Sequence, residues 1–171
     1  QERLEHMRAE KAQADDIAAS SKPSELPTSV FFDFRRVNPG RGWHVGERDP
    51  VHGVVRWSKP TTSYVELPVA VGRDLILRVR IVFSIRRLFR YPRLGVNGYP
   101  IPLRLRSFEK GEMVYEGIIP ADVAQRSSGW LQLAFSVGGP SIPFLHRLPA
   151  SEQRELGLCY HSLQVEPVSL R

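Results

Sequence analysis

From Val30 onward, hydrophobic and polar residues alternate with the period of two that puts successive side chains on opposite faces of a β-strand. Val30, Phe32 and Phe34 fall on one side, with Phe31, Asp33 and Arg35 on the other. Ser63–Val69 sets Val65, Leu67 and Val69 against Tyr64 and Glu66. The clearest strand runs from Leu75 to Phe83. There Leu75, Leu77, Val79, Ile81 and Phe83 oppose Ile76, Arg78, Arg80 and Val82. Gly53–Trp57, Met113–Ile119, Trp130–Val137 and Leu156–Val168 read as further strands. Val96-Asn97-Gly98-Tyr99 predicts a tight hairpin, because Asn-Gly supplies the two positive φ angles of a type I′ turn. The next arm alternates Ile101, Leu103 and Leu105 with Arg104 and Arg106. Pro120-Ala121-Asp122-Val123 reads as a helical turn, with Asp122 and the pair Ser127-Ser128 as capping or turn residues.

About eight or nine short strands with frequent turn signals predict an all-β fold, a two-layer antiparallel β-sandwich of jelly-roll type. The opening residues follow a different rule. Residues 1–20 are rich in Ala, Glu, Lys, Arg and Gln and contain no Gly or Pro, which predicts a helix. Its apolar stripe (Leu4, Met7, Ala14, Ala18) is thin and interrupted by Lys11. The expected organisation is therefore a helical connector over 1–22, a Ser- and Pro-containing linker over 23–29, and the sandwich over 30–171. The first residue is Gln1, so the chain is expected to derive from a larger protein.

Charge is distributed unevenly. Residues 1–30 hold four basic and six acidic side chains, a net of −2, whereas residues 31–171 carry a net of +8. Nine arginines lie between Arg73 and Arg106, with Asp74 the one acid among them. Such a surface favours anionic partners as a class. Arg78, Arg80, Arg104 and Arg106, on the polar sides of two strands, are the expected anion-binding face. The single cysteine, Cys159, rules out an internal disulfide framework and fits a reducing compartment. No apolar run reaches the roughly 20 residues of a membrane-spanning helix.

Motifs for common enzyme chemistry are absent. The sequence holds no G-x-S-x-G elbow, phosphate-binding loop, dinucleotide fingerprint or H-E-x-x-H pair. His44 and His52 with Glu47 and Asp49 lack tight metal-ligand spacing and read as loop polars, and no metal or cofactor is expected. Glu47, Glu109, Glu112 and Glu116 are carboxylates available to a glycoside hydrolase, which needs two of them facing across a cleft. Arg86, Arg87, Arg90 and Arg93 flank Phe89 and Tyr91, a local mixture of cations and aromatics, but no recognised nucleic-acid motif surrounds them.

One loop set has binding chemistry. Trp43, His44, Glu47, Arg56 and Trp57 combine aromatic faces with groups that take hydroxyls in a fixed pattern, as a sugar site on a sandwich requires. The same residues also suit loop bracing, with Arg56 paired to Glu47 and Trp57 in the core.

The order Gly42-Trp43 … Glu47 … Arg56-Trp57, then Leu75–Phe83, Val96-Asn97-Gly98, and Glu152-Gln153-Arg154-Glu155-Leu156-Gly157-Leu158, resembles accessory β-sandwich domains. Such domains occur in bacterial glycosyltransferases and other cell-surface polysaccharide proteins. The resemblance spans residues 30–168. The chain departs from it at Glu152, where aspartate is usual. It implies a carbohydrate-binding, non-catalytic module that engages saccharide, acidic or phosphorylated, or positions polymer for an upstream catalytic domain, in the cytoplasm at the inner face of the membrane. The alternative is a structural module that packs on a partner domain or mediates oligomerisation without binding sugar.

Overall fold

Among the described residues, eleven strands and one short helix follow in order: β1 (Val30–Asp33), β2 (Glu47–Asp49), β3 (Gly53–Trp57), β4 (Ser63–Pro68), β5 (Leu75–Val82), β6 (Tyr91–Val96), β7 (Tyr99–Ile101), β8 (Arg104–Glu109), β9 (Glu112–Ile119), α1 (Ala121–Ala124), β10 (Trp130–Gly138) and β11 (Cys159–Pro167). The computed structural model describes residues 25–36, 39–82, 90–127, 129–139 and 157–169. The expected N-terminal helix, Phe83, Arg86, Arg87, Phe89, His146 and the segment Glu152–Leu156 lie outside these.

The strands form two antiparallel sheets. One runs β2-β3-β11-β5-β9-β8 and the other β4-β10-β6-β7. β11 is the organiser of the larger sheet. One of its edges takes β5 along nearly its whole length; the other takes β3 at Cys159–Tyr160 and β1 at Ser162–Val165. The all-β, two-layer expectation holds. The layers are unequal, at seven and four strands.

The alternation of the sequence is realised in the core. Leu75, Leu77, Val79 and Ile81 of β5, with Leu163 and Val165 of β11, face Val65 and Leu67 of β4, Leu131, Leu133 and Phe135 of β10, and Leu94 and Val96 of β6. All are nearly or fully removed from water. Each such side chain contributes about 1.5–3 kcal/mol of burial. Along β11 the register slips between Tyr160 and Ser162. That bulge at His161 changes the parity, so Tyr160 and Leu163 both point inward although they are three residues apart.

At the Asn97–Gly98 turn φ is 49° and 81°, both positive as the expected hairpin requires. The arm after it departs from expectation. It is not one strand: β7 pairs with β6 in the smaller sheet, and β8 pairs with β9 in the larger one. The chain changes layer at Pro102–Leu103, crossing over Gly117, where a Cβ would lie 2.9 Å from Leu103 Cδ2 and 3.0 Å from the Pro102 carbonyl oxygen. Proline cannot donate to a ladder, so it suits this break. The helical turn is present as α1, but Asp122 does not cap it. The Asp74 carboxylate accepts a hydrogen bond of 2.8 Å from the Ala121 N–H instead.

Candidate functional site

The loop residues Trp43, His44, Glu47, Arg56 and Trp57 do not converge on one concavity. Trp43 is 7% exposed and inserts between the sheets. Its ring packs against Phe34, Tyr160 and Phe135 at centroid separations of 4.9, 5.0 and 6.3 Å. Its indole N–H donates to the Tyr64 carbonyl at 2.8 Å. Arg56 is also buried, donating from Nε to the Phe34 carbonyl at 2.9 Å and from Nη1 to that of His44 at 2.8 Å. Burial pushes its pKa down. The expected pairing with Glu47 is replaced by these backbone carbonyls. Trp57 lies on the opposite face of the larger sheet, packed with Val55, Val82 and Cys159. Glu47, paired across from Val55, shares that outer face. His44 joins the loop to β3, its N–H donating to the Trp57 carbonyl at 2.9 Å.

Of the expected anion-binding face, Arg78 and Arg80 have acidic cross-strand neighbours. Arg78 is ion-paired with Glu116 at 2.9 Å and with Glu166, and Arg80 with Glu112 at 3.3 Å. These pairs arise because β9 and β11 carry acids on the same face as the β5 arginines. Arg104 and Arg106 are exposed on the edge strand β8 and face solvent. Charged residues there also discourage edge-to-edge pairing.

The loop histidines do not assemble a metal centre. Asp49 accepts hydrogen bonds from the Val51 and His52 N–H groups, while His52 Nδ1 lies 3.3 Å from Glu112. No group of three potential ligands converges among the described residues. The carboxylates available to a hydrolase are likewise dispersed. Glu47 is on β2 and Glu109 on β8, opposite edges of the larger sheet, while Glu112 and Glu116 are engaged by cations.

The outer face of the smaller sheet gathers a different set, none of it among the site residues expected from sequence. Because Leu131, Leu133 and Phe135 of β10 face inward, Trp130, Gln132, Ala134 and Ser136 face out. Registry places Gln132 beside Glu66, and Ala134 between Tyr64 and Gly95. Trp130 is 51% exposed at one end of this face. Tyr91, 43% exposed, pairs with Gly138 at the other end. The eight residue steps along β10 between them span about 27 Å. Between the ends lies a floor of small side chains, Ala134, Gly95 and Ser136.

Beside Trp130 is an open depression of about 340 Å³ lined by Glu66, Asn97, Arg126, Ser127, Trp130 and Gln132. Asn97 builds its wall. The side-chain amide donates to the Val123 and Ala124 carbonyls at 2.9 and 3.2 Å, and its oxygen accepts from the Gln132 N–H at 3.0 Å. The hairpin tip, the end of α1 and β10 are thereby locked together, which holds Arg126 near Trp130. The Arg126 guanidinium lies over the Tyr99 ring at 4.9 Å. Ser127 Oγ donates to the Trp130 carbonyl, fixing the start of the strand. The readable signal was an aromatic residue on the polar phase of an otherwise alternating strand.

No family model matches the chain, and no curated protein matches it. Among solved structures, a xylan-binding module CBM15 aligns at 11% identity and a TM-score of 0.39, over 82% of this chain and 99% of that one. A likeness of that size bears on neither ligand nor site.

Proposed function

We propose that the chain is a non-catalytic carbohydrate-binding module that holds an extended saccharide along β10, on the outer face of the four-stranded sheet. The observation that carries this reading is Trp130, half exposed on the solvent side of a core strand and bordered by Glu66, Gln132 and Arg126. A tryptophan half exposed there leaves apolar surface in water, which suits the C–H face of a sugar ring. The neighbouring carboxylate, amide and guanidinium supply acceptors and donors for hydroxyls. An open, shallow platform admits the interior of a polymer, whereas a closed pocket selects chain ends or small molecules. Trp43 and Arg56 act in this scheme as scaffold. The finer setting, a module serving a glycan-building catalytic domain at the inner face of the membrane, rests on the resemblance of its motif order.

Affinity electrophoresis tests the reading. Migration should be retarded in gels containing a soluble polysaccharide, and Trp130→Ala should restore free migration without changing the thermal midpoint. Equal retardation of the wild type and the Trp130 variant in every gel rules the site out.

A further inference from the structure

We infer that the saccharide is polyanionic, carrying carboxylate or sulfate groups along its length; this rests on the binding reading above. Three arginines border the platform. Arg41 lies over the Tyr64 ring at 4.5 Å, Arg126 over Tyr99 at 4.9 Å, and Arg93 over Tyr91 at 5.7 Å, with Arg93 Nη2 3.4 Å from the Tyr91 hydroxyl. None is ion-paired with a carboxylate among the described residues. On the strands of this face Glu66 is the single acid. The contrast with the other sheet is internal to the molecule. There, Arg78 and Arg80 of β5 are neutralised by Glu112, Glu116 and Glu166, and Arg104 and Arg106 stand on the edge strand β8.

The manner in which the three are held matters. An aromatic ring fixes the guanidinium plane from one side and consumes none of its N–H donors. A carboxylate partner would occupy two of them. Arg41 and Arg126 are therefore positioned with no carboxylate partner among the described residues and can grip an incoming oxyanion in a bidentate manner, while Arg93, which donates from Nη2 to the Tyr91 hydroxyl, keeps its remaining donors. The stacks also sit apart: Arg126 is near the Trp130 end, Arg93 near the Tyr91 end, and Arg41 beside β4. A ligand with a single charge satisfies one of them. A polymer with repeated anionic groups satisfies several while its rings cross the Ala134–Gly95 floor.

The test compares wild type, Trp130→Ala and the triple variant R41Q/R93Q/R126Q in gels containing polygalacturonate, dextran sulfate, unmodified dextran, or a single-stranded homopolymeric DNA, at low and high salt. The wild type should be retarded most by one of the two acidic polysaccharides. Added salt and the triple substitution should each weaken that retardation about tenfold. The stronger of the two acidic gels identifies the group as carboxylate or sulfate. Retardation by polygalacturonate and dextran sulfate that the triple variant retains in full overturns the inference, as does preference for unmodified dextran; in either case the sugar reading stands if Trp130→Ala still abolishes binding. Tighter retention by DNA than by any polysaccharide overturns both, as does the absence of retardation in every gel.

Discussion

At the scale of single residues, an arginine serves this molecule in three ways, distinguished by its partners. Arg56 has left water and gives its N–H groups to the carbonyls of Phe34 and His44. Arg78 is neutralised by carboxylates. Arg126 lies over a tyrosine ring. Arg56→Ala should therefore lower unfolding free energy by about 2–4 kcal/mol, since it strands buried carbonyls and removes packed methylenes. Urea denaturation measures this, and saccharide affinity of the folded fraction should be unchanged. The sequence shows why Arg56 and Trp57 invite a binding interpretation: adjacent polar and aromatic residues look alike whether they face a ligand or a loop. Which side of a strand faces the core is legible only relative to its neighbours. For β10 the neighbours Leu131, Leu133 and Phe135 settle it, so Trp130 was readable as outward. For Trp43 no alternating run surrounds the residue, and its burial follows from a tertiary contact with β4 that no local pattern encodes.

At the scale of elements, cross-strand register decides what a face can do. The β5 arginines were visible in sequence, but the acids opposite Arg78 come from β9 and β11, 38 and 88 residues away. Register between strands so distant is set by packing and the β11 bulge. The change of layer at Pro102–Leu103 was hidden for the same reason, because alternation continues through it. The bulge also places His161 beside Glu112, with Asp33, Arg35, Arg80 and His52 nearby on the same face. Desolvation holds the His161 pKa below its ordinary 6.5, against the opposing pull of Glu112. For a base whose folded pKa is depressed, the unfolded chain takes up the proton first. Stability from His161 is thus complete above pH 6.5 and declines as pH falls through 6.5 towards the folded value. Asp33 acts in a separate window, since its hydrogen bond from Arg35 holds it below 3.8, and its contribution is lost only as pH falls through that lower value. Thermal midpoints measured from pH 7.5 to 5 should therefore fall, and His161→Gln should flatten the decline. An unchanged slope in the variant removes His161 as its cause.

At the scale of the whole molecule, the two sheets divide the work. The seven-stranded sheet pairs the β5 arginines with acids on its outer surface, and together the sheets enclose the aromatic core of Phe34, Trp43, Phe135 and Tyr160. The four-stranded sheet shows water a row of exposed aromatics, small residues and arginines held on tyrosines. Intrinsic fluorescence tests directly whether that face is where ligand sits. Of the three tryptophans, Trp43 is buried, Trp57 is partly buried on the far sheet, and Trp130 is half exposed on the proposed platform. Titration with a soluble polysaccharide that retards the protein should shift and saturate the emission. Trp130→Phe should abolish that signal, and Trp57→Phe should leave it intact. A saturating signal that survives Trp130→Phe and disappears with Trp57→Phe would place the ligand on the other sheet and contradict the account.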